Sequence, residues 1–178
     1  MKKNIIAAAI IATATLSLSN AFAATGEGTV NFNGEILDAA CTVDVGSQNQ
    51  TVELGKYNKS AFAAAGDVTA ATKFDIVLKD CPATVTSASV RFDGTPDTAD
   101  STLLAVDSSV SGAATGVAIN LMSADKSQLP LHGTNGYSYP LTDAADNTLD
   151  FYAQYKSTAD SVTAGPANSV ANFSVVYN

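Results

Sequence analysis

The sequence predicts an all-β domain, and three observations carry that reading. Apolar and polar residues alternate with a period of two over several short runs. Clusters of turn-forming residues separate those runs. Two cysteines stand 40 positions apart in a chain that opens with an export signal. A period of two marks strands with one buried face, and many short strands at such intervals point to a sandwich or barrel.

The runs can be taken in order. From Lys73 to Asp80, Phe74, Ile76 and Leu78 share one face while Lys73, Asp75 and Lys79 take the other. Val117, Ile119 and Leu121 repeat the pattern, as do Phe151, Ala153 and Tyr155. The last run places Ala171, Phe173, Val175 and Tyr177 on one side. Asp93-Gly94-Thr95-Pro96-Asp97, Ser111-Gly112, Asn135-Gly136 and Gly165-Pro166 supply the turns. The Ala-rich stretch from Ser60 to Ala71 reads as a loop with a short helical turn, interrupted by Gly66. No repeat, heptad or linker-like tract calls for a second domain.

The N-terminus sets the compartment. Lys2 and Lys3 precede an apolar stretch from Ile5 to Leu18, and Ala21-Phe22-Ala23 supplies a small-x-small cleavage site. This is a secretory leader over residues 1–23, too short in its apolar part for a membrane anchor. The mature chain then begins at Ala24 and keeps 155 of the 178 residues, enough for one well-packed domain. Of nine basic residues two leave with the leader, so seven cations face seventeen carboxylates and the charge becomes −10. That charge argues against nucleic acid and anionic lipid as partners, and no later stretch is built for membrane insertion. In an exported chain, Cys41 and Cys81 are expected to form a disulfide.

Candidates for catalysis are few. His132 is the only histidine, which excludes a histidine-rich metal site. It lies in Leu131-His132-Gly133-Thr134, a loop pattern, so a serine triad built on it has little support. Asp143 and Asp146 read as solvated loop charges. Asp93, Asp97 and Asp100 lack the spacing and closing glutamate of a calcium loop. Tyr137, Tyr139, Tyr152 and Tyr155 do not share one face, which points to core packing and subunit contacts rather than a sugar platform. No cofactor site is expected, and the chain does not read as an enzyme.

The segment from Ala24 to Val45 is unusual. Its 22 residues hold no proline, and Gly28, Val30, Phe32, Gly34 and Ile36 share one parity. Fully extended it would run roughly 70 Å, far beyond one sandwich strand. Either Asn33-Gly34 makes a hairpin turn that folds Val30 and Phe32 back beside Ile36, or part of the segment leaves the domain.

The stretch GTVNFNGEILDAAC, from Gly28 to Cys41, resembles the N-terminus of type 1 fimbrial major subunits of the chaperone–usher route. That family carries G-T-V-x-F-x-G-x-[VI]-x-x-A-x-C after its leader. The resemblance continues through Thr51-Val52-Glu53-Leu54-Gly55, the run Phe74 to Cys81 and the run Phe151 to Tyr155. It ends at Gly165 to Asn178, with Tyr177 penultimate and Gly165 fourteenth from the end, both as in the family. The resemblance implies an incomplete immunoglobulin-like β-sandwich, residues 35–178, that lacks its last strand. It implies a donor extension at residues 24–34, in which Val30 and Phe32 fill pockets of a neighbouring subunit and Gly28 fits a shallow point. Gly165, Ala171, Phe173, Val175 and Tyr177 are then expected to form the acceptor groove and the strand read by a periplasmic chaperone.

The implied partners are identical subunits joined head to tail, that chaperone and an outer-membrane usher. The implied destination is a fimbrium at the cell surface, reached through the periplasm, where the fibre supports adhesion. Ala24 to Glu27 offer no bulky plug ahead of Gly28, a departure from the family that touches the far end of the groove. The alternative expectation is a monomeric secreted β-sandwich that binds carbohydrate or a host protein, its edge satisfied by the Asn33-Gly34 hairpin.

Overall fold

A computed structural model of the chain describes residues 29–36 and 40–178. The expected leader at 1–23, the first part of the extension and Gly28 lie outside the described residues. The described residues fall into two units divided after Ile36, and each is described by itself.

Residues 29–36 belong to no strand. A type I′ turn requires positive φ at both central residues, and neither Asn33 nor Gly34 has one. The hairpin of the alternative reading is therefore not formed at these residues. Val30 and Phe32 are exposed at 73% and 92%.

Residues 40–178 form two sheets. The larger is built from β1 (Thr42–Val43), β2 (Thr72–Lys79), β4 (Leu104–Ala105), β5 (Val117–Met122) and β7 (Asn147–Ser157), in the order β1-β2-β7-β5-β4. The smaller has β3 (Ser87–Asp93) at its centre, between β6 (Tyr139–Pro140) and β8 (Asn172–Tyr177). Every pairing between these strands is antiparallel. A one-turn helix, α1 (Val45–Gln48), follows β1 and is capped by the Asp44 carboxylate, which accepts from Gly46 N at 2.9 Å.

The expected faces are the observed ones along β2, where Ile76 and Leu78 are fully buried and Lys73 and Asp75 are exposed. Leu149, Phe151 and Ala153 of β7 point to the same core. From the opposite sheet, Val90, Phe92 and Tyr139 pack into it. The Phe92 ring meets Phe151 edge-on, with centroids 5.4 Å apart. Removing these apolar side chains from water supplies the main driving force for closing the sandwich. Strand β5 departs from the half-buried expectation, since all six of its residues are buried. Residues 59–71 hold a single 3₁₀ turn, Lys59–Ala61, before Phe62 drops into the interior. Cys41 and Cys81 are bonded, joining the chain before β1 to the residue pair that follows β2.

Candidate functional site

The smaller sheet ends on an open edge. β8 pairs only with β3, in the register Ala88↔Tyr177 to Asp93↔Asn172. Asn178 N donates to Ser87 O at 2.9 Å. In an antiparallel ladder the backbone polar groups alternate in direction. Asn172, Ser174 and Val176 therefore direct theirs at β3, while Phe173, Val175 and Tyr177 direct theirs at the open side. The side chains of those last three face the core, yet each is only half-buried. An inward face that stays half-exposed is one that lacks a covering neighbour.

A second wall faces this edge. Residues 50–57 belong to no strand, and along them Val52 and Leu54 are half-buried while their neighbours are exposed. Among the described residues none of them makes a backbone–backbone hydrogen bond. This wall runs opposite to β8. At one end Tyr57 lies 6.2 Å from the Tyr155 ring, and the Tyr155 hydroxyl donates to Ala167 O, ahead of β8. At the other end the Tyr177 hydroxyl donates to Cys41 O. Between the walls lies a groove of about 1210 Å³ whose apolar lining includes Phe74, Ile76, Phe92, Ile119 and Ala153. Two unpaired backbone edges above an apolar lining describe the space of a missing strand.

Gly165 lines this groove but does not lie on β8. It sits in the segment leading to it, pressed against the loop at Gly112, Ala113 and Ala114. A Cβ at this position would overlap Gly112 O and stand 2.7 Å from Ala114 N. Ala114 N donates to Pro166 O at 2.9 Å and Asp107 N to Asn168 O at 2.8 Å, so the two loops are laced backbone to backbone. Ala171 stands immediately before β8 and packs on the core. Gly165, Ala171 and Phe173 thus line the groove, while Val175 and Tyr177 continue along β8 with half-buried inward side chains. The wall at 50–57 was not assigned by sequence reasoning; the weak alternation of Thr51, Val52, Glu53 and Leu54 is its only local signal.

The catalytic candidates are absorbed by the structure around them. His132 has a left-handed backbone, φ 62°, and its Nδ1 lies 2.9 Å from an Asp93 carboxylate oxygen. Arg91 reaches the same carboxylate at 3.0 Å. The hydrogen bond to His132, helped by Arg91, holds the Asp93 carboxyl below its ordinary value. No serine hydrogen-bonds His132 among the described residues. Asp97 and Asp100 each accept backbone N–H groups of their own turn. Among the described residues no three His, Cys, Asp or Glu side chains come together as metal ligands. Burial raises the Tyr155 and Tyr177 phenols above their ordinary range, as expected of rings that pack rather than ionise.

The chain is similar to known proteins over most of its length. The family model described as "Fimbrial protein" matches residues 30–178. The long polar fimbria protein A of Salmonella typhimurium is 40% identical over 179 residues, covering 99% of this chain and 97% of that protein. The type-1 fimbrial protein A chain of Escherichia coli K12 is 37% identical over 182 residues, covering 99% and 100%. Among solved structures, the P pilus rod subunit PapA superposes with a TM-score of 0.65 at 26% identity, covering 79% of this chain and all of PapA.

Proposed function

The chain belongs to the fimbrial protein family, and from that premise we propose that its copies polymerise by donor-strand exchange, each extension filling the next copy's groove. The subunit itself is structural, a component of a surface fimbrium. The observation that carries the proposal is the groove between β8 and residues 50–57, bounded by two unpaired backbone edges. Residues 24–34 of a second copy supply what it lacks. Val30 and Phe32 share one parity and are separated by one residue, the spacing at which side chains of a strand fall on the same face. Gly28, on the same parity, passes where no side chain fits. The inserted strand would bond the free backbone groups of Phe173, Val175 and Tyr177, which gives affinity, while its pocketed side chains give register.

An unfilled groove is an aggregation hazard, so a periplasmic chaperone supplies a strand first and an outer-membrane usher receives the complex. The finished fibre supports adhesion. The open edge of β8 supports this sequence of events, because either occupant would pair with it.

Electron microscopy of cells that express the chain with a cognate chaperone and usher tests the proposal. Deleting residues 24–32 should abolish fibres while folded subunit accumulates on the chaperone. Fibres that persist after the deletion would overturn the donor role. A deletion variant that stays monomeric, folded and chaperone-free would favour the secreted binding module instead.

A further inference from the structure

Seven cations remain beyond the leader, and five of them are engaged within the fold. Lys73 meets Asp150 at 2.7 Å, Lys79 meets Asp44 at 2.7 Å, Arg91 meets Asp93 at 3.0 Å and Lys156 meets Asp100 at 3.8 Å. Lys126 stands 5.2 Å from the centre of the Tyr152 ring. Lys56 and Lys59 form no ion pair among the described residues, both are exposed, and both line the groove. In a chain so rich in carboxylates, two groove-lining cations with no ion pair among the described residues suit an acidic occupant.

We propose that Lys56 and Lys59 clamp Glu35, the residue that directly follows the incoming copy's extension, and so fix the direction and register in which that extension docks. The inference rests on the donor-strand reading above. With Val30 and Phe32 turned into the groove, Glu35 has the opposite parity and faces its rim. It lies three residues beyond Phe32, about 10 Å along an extended chain. Direction follows from pairing. Every strand pairing among the described residues is antiparallel, and antiparallel ladders are the more stable kind. An extension antiparallel to β8 brings its C-terminal end to Asn172, which is the end where Tyr57 and its neighbouring lysines stand. At the other end of the groove the lining residues Gln48, Asn49 and Gln50 carry no charge to meet Glu27.

The test uses fibres of the full mature chain, with their dissociation in denaturant followed at low salt and at ~1 M salt, where charges are screened beyond ~3 Å. Glu35→Gln, and Lys56→Gln with Lys59→Gln, should each speed dissociation about two- to fivefold at low salt. Their combination should be no faster than either alone, and high salt should erase the differences. Glu27→Gln should change nothing. Reversing both sides, Glu35→Lys with Lys56→Glu and Lys59→Glu, should restore slow dissociation. Independent effects of Glu35 and the lysines would overturn the clamp, as would coupling of the lysines to Glu27 instead. Fibres that survive loss of residues 24–32 would strike the donor-strand reading; fibres lost on that deletion but without Glu35–lysine coupling would strike only the clamp.

Discussion

The Tyr177 hydroxyl lies 3.3 Å from the backbone carbonyl of Cys41 and donates to it. One bond thus ties the end of the last strand to the disulfide at the start of the domain. Tyr177→Phe removes it while keeping the ring. The expected loss is about 0.5–1.5 kcal/mol, read from the urea midpoint of the folded subunit. Tyr177→Ser, which also removes the ring from the core face, should lose clearly more.

The Cys41–Cys81 bond closes a loop of 40 residues. In the chain-entropy description this constrains the unfolded state by about 4 kcal/mol. Cys41→Ser with Cys81→Ser should lower the unfolding free energy by that order in denaturant titrations. An equal midpoint for the bonded and serine forms would contradict it.

Gly112 and Gly165 face one another and should fail for different reasons. Gly165→Ala forces a Cβ into the Gly112 and Ala114 backbone, and overpacking of this kind costs about 1–3 kcal/mol or more. Gly112→Ala meets open space but must hold φ at +73°, a strain of about 1 kcal/mol. Thermal melts of the two variants should rank Gly165→Ala as the less stable.

Alkali should weaken the fold through its tyrosines. Burial holds the Tyr139 phenol well above its ordinary 10.0, and its hydroxyl donates to Asp150 O at 2.7 Å. Tyr155 and Tyr177 shift the same way, also through burial. A raised folded pKa means that the folded state keeps the proton longer. Stability is therefore intact below pH 10 and falls as pH rises above it. Tyr139→Phe should flatten that fall in denaturant titrations across alkaline pH, while lowering stability at neutral pH.

Much of this fold is legible because its strands carry strong contrast. Phe74, Ile76 and Leu78 against Lys73, Asp75 and Lys79 leave little doubt about β2, and Phe173, Val175 and Tyr177 do the same for β8. β3 went unassigned because Ser87, Ala88 and Ser89 blunt its alternation, although Val90 and Phe92 are core residues. β5 is buried on both faces, so Ala118 and Asn120 look polar-side by pattern and are interior by position. The groove was half legible. Its β8 side is what the family resemblance of Gly165 to Asn178 implies, since the alternation of Phe173, Val175 and Tyr177 by itself marks only a core-facing strand. Its other wall was not legible, because nothing local to residues 50–57 says that a neighbouring strand is missing. Gly165 was placed by its distance from the C-terminus, while its physical reason is a backbone approach to Gly112 that only the folded chain displays.

The open edge of β8 also bears on how an assembly ends. In the proposed exchange, a copy that inserted its extension would close one edge and bring an identical open edge of its own. Each such addition would cover one open edge and bring another, so the number of growing ends would not change. A head-to-tail contact of that kind has no inherent stopping point and generates filaments unless rotation closes a ring. On that scheme fibre length would be governed by subunit supply, or by a capping chain that offers an extension without a groove or a groove without an extension.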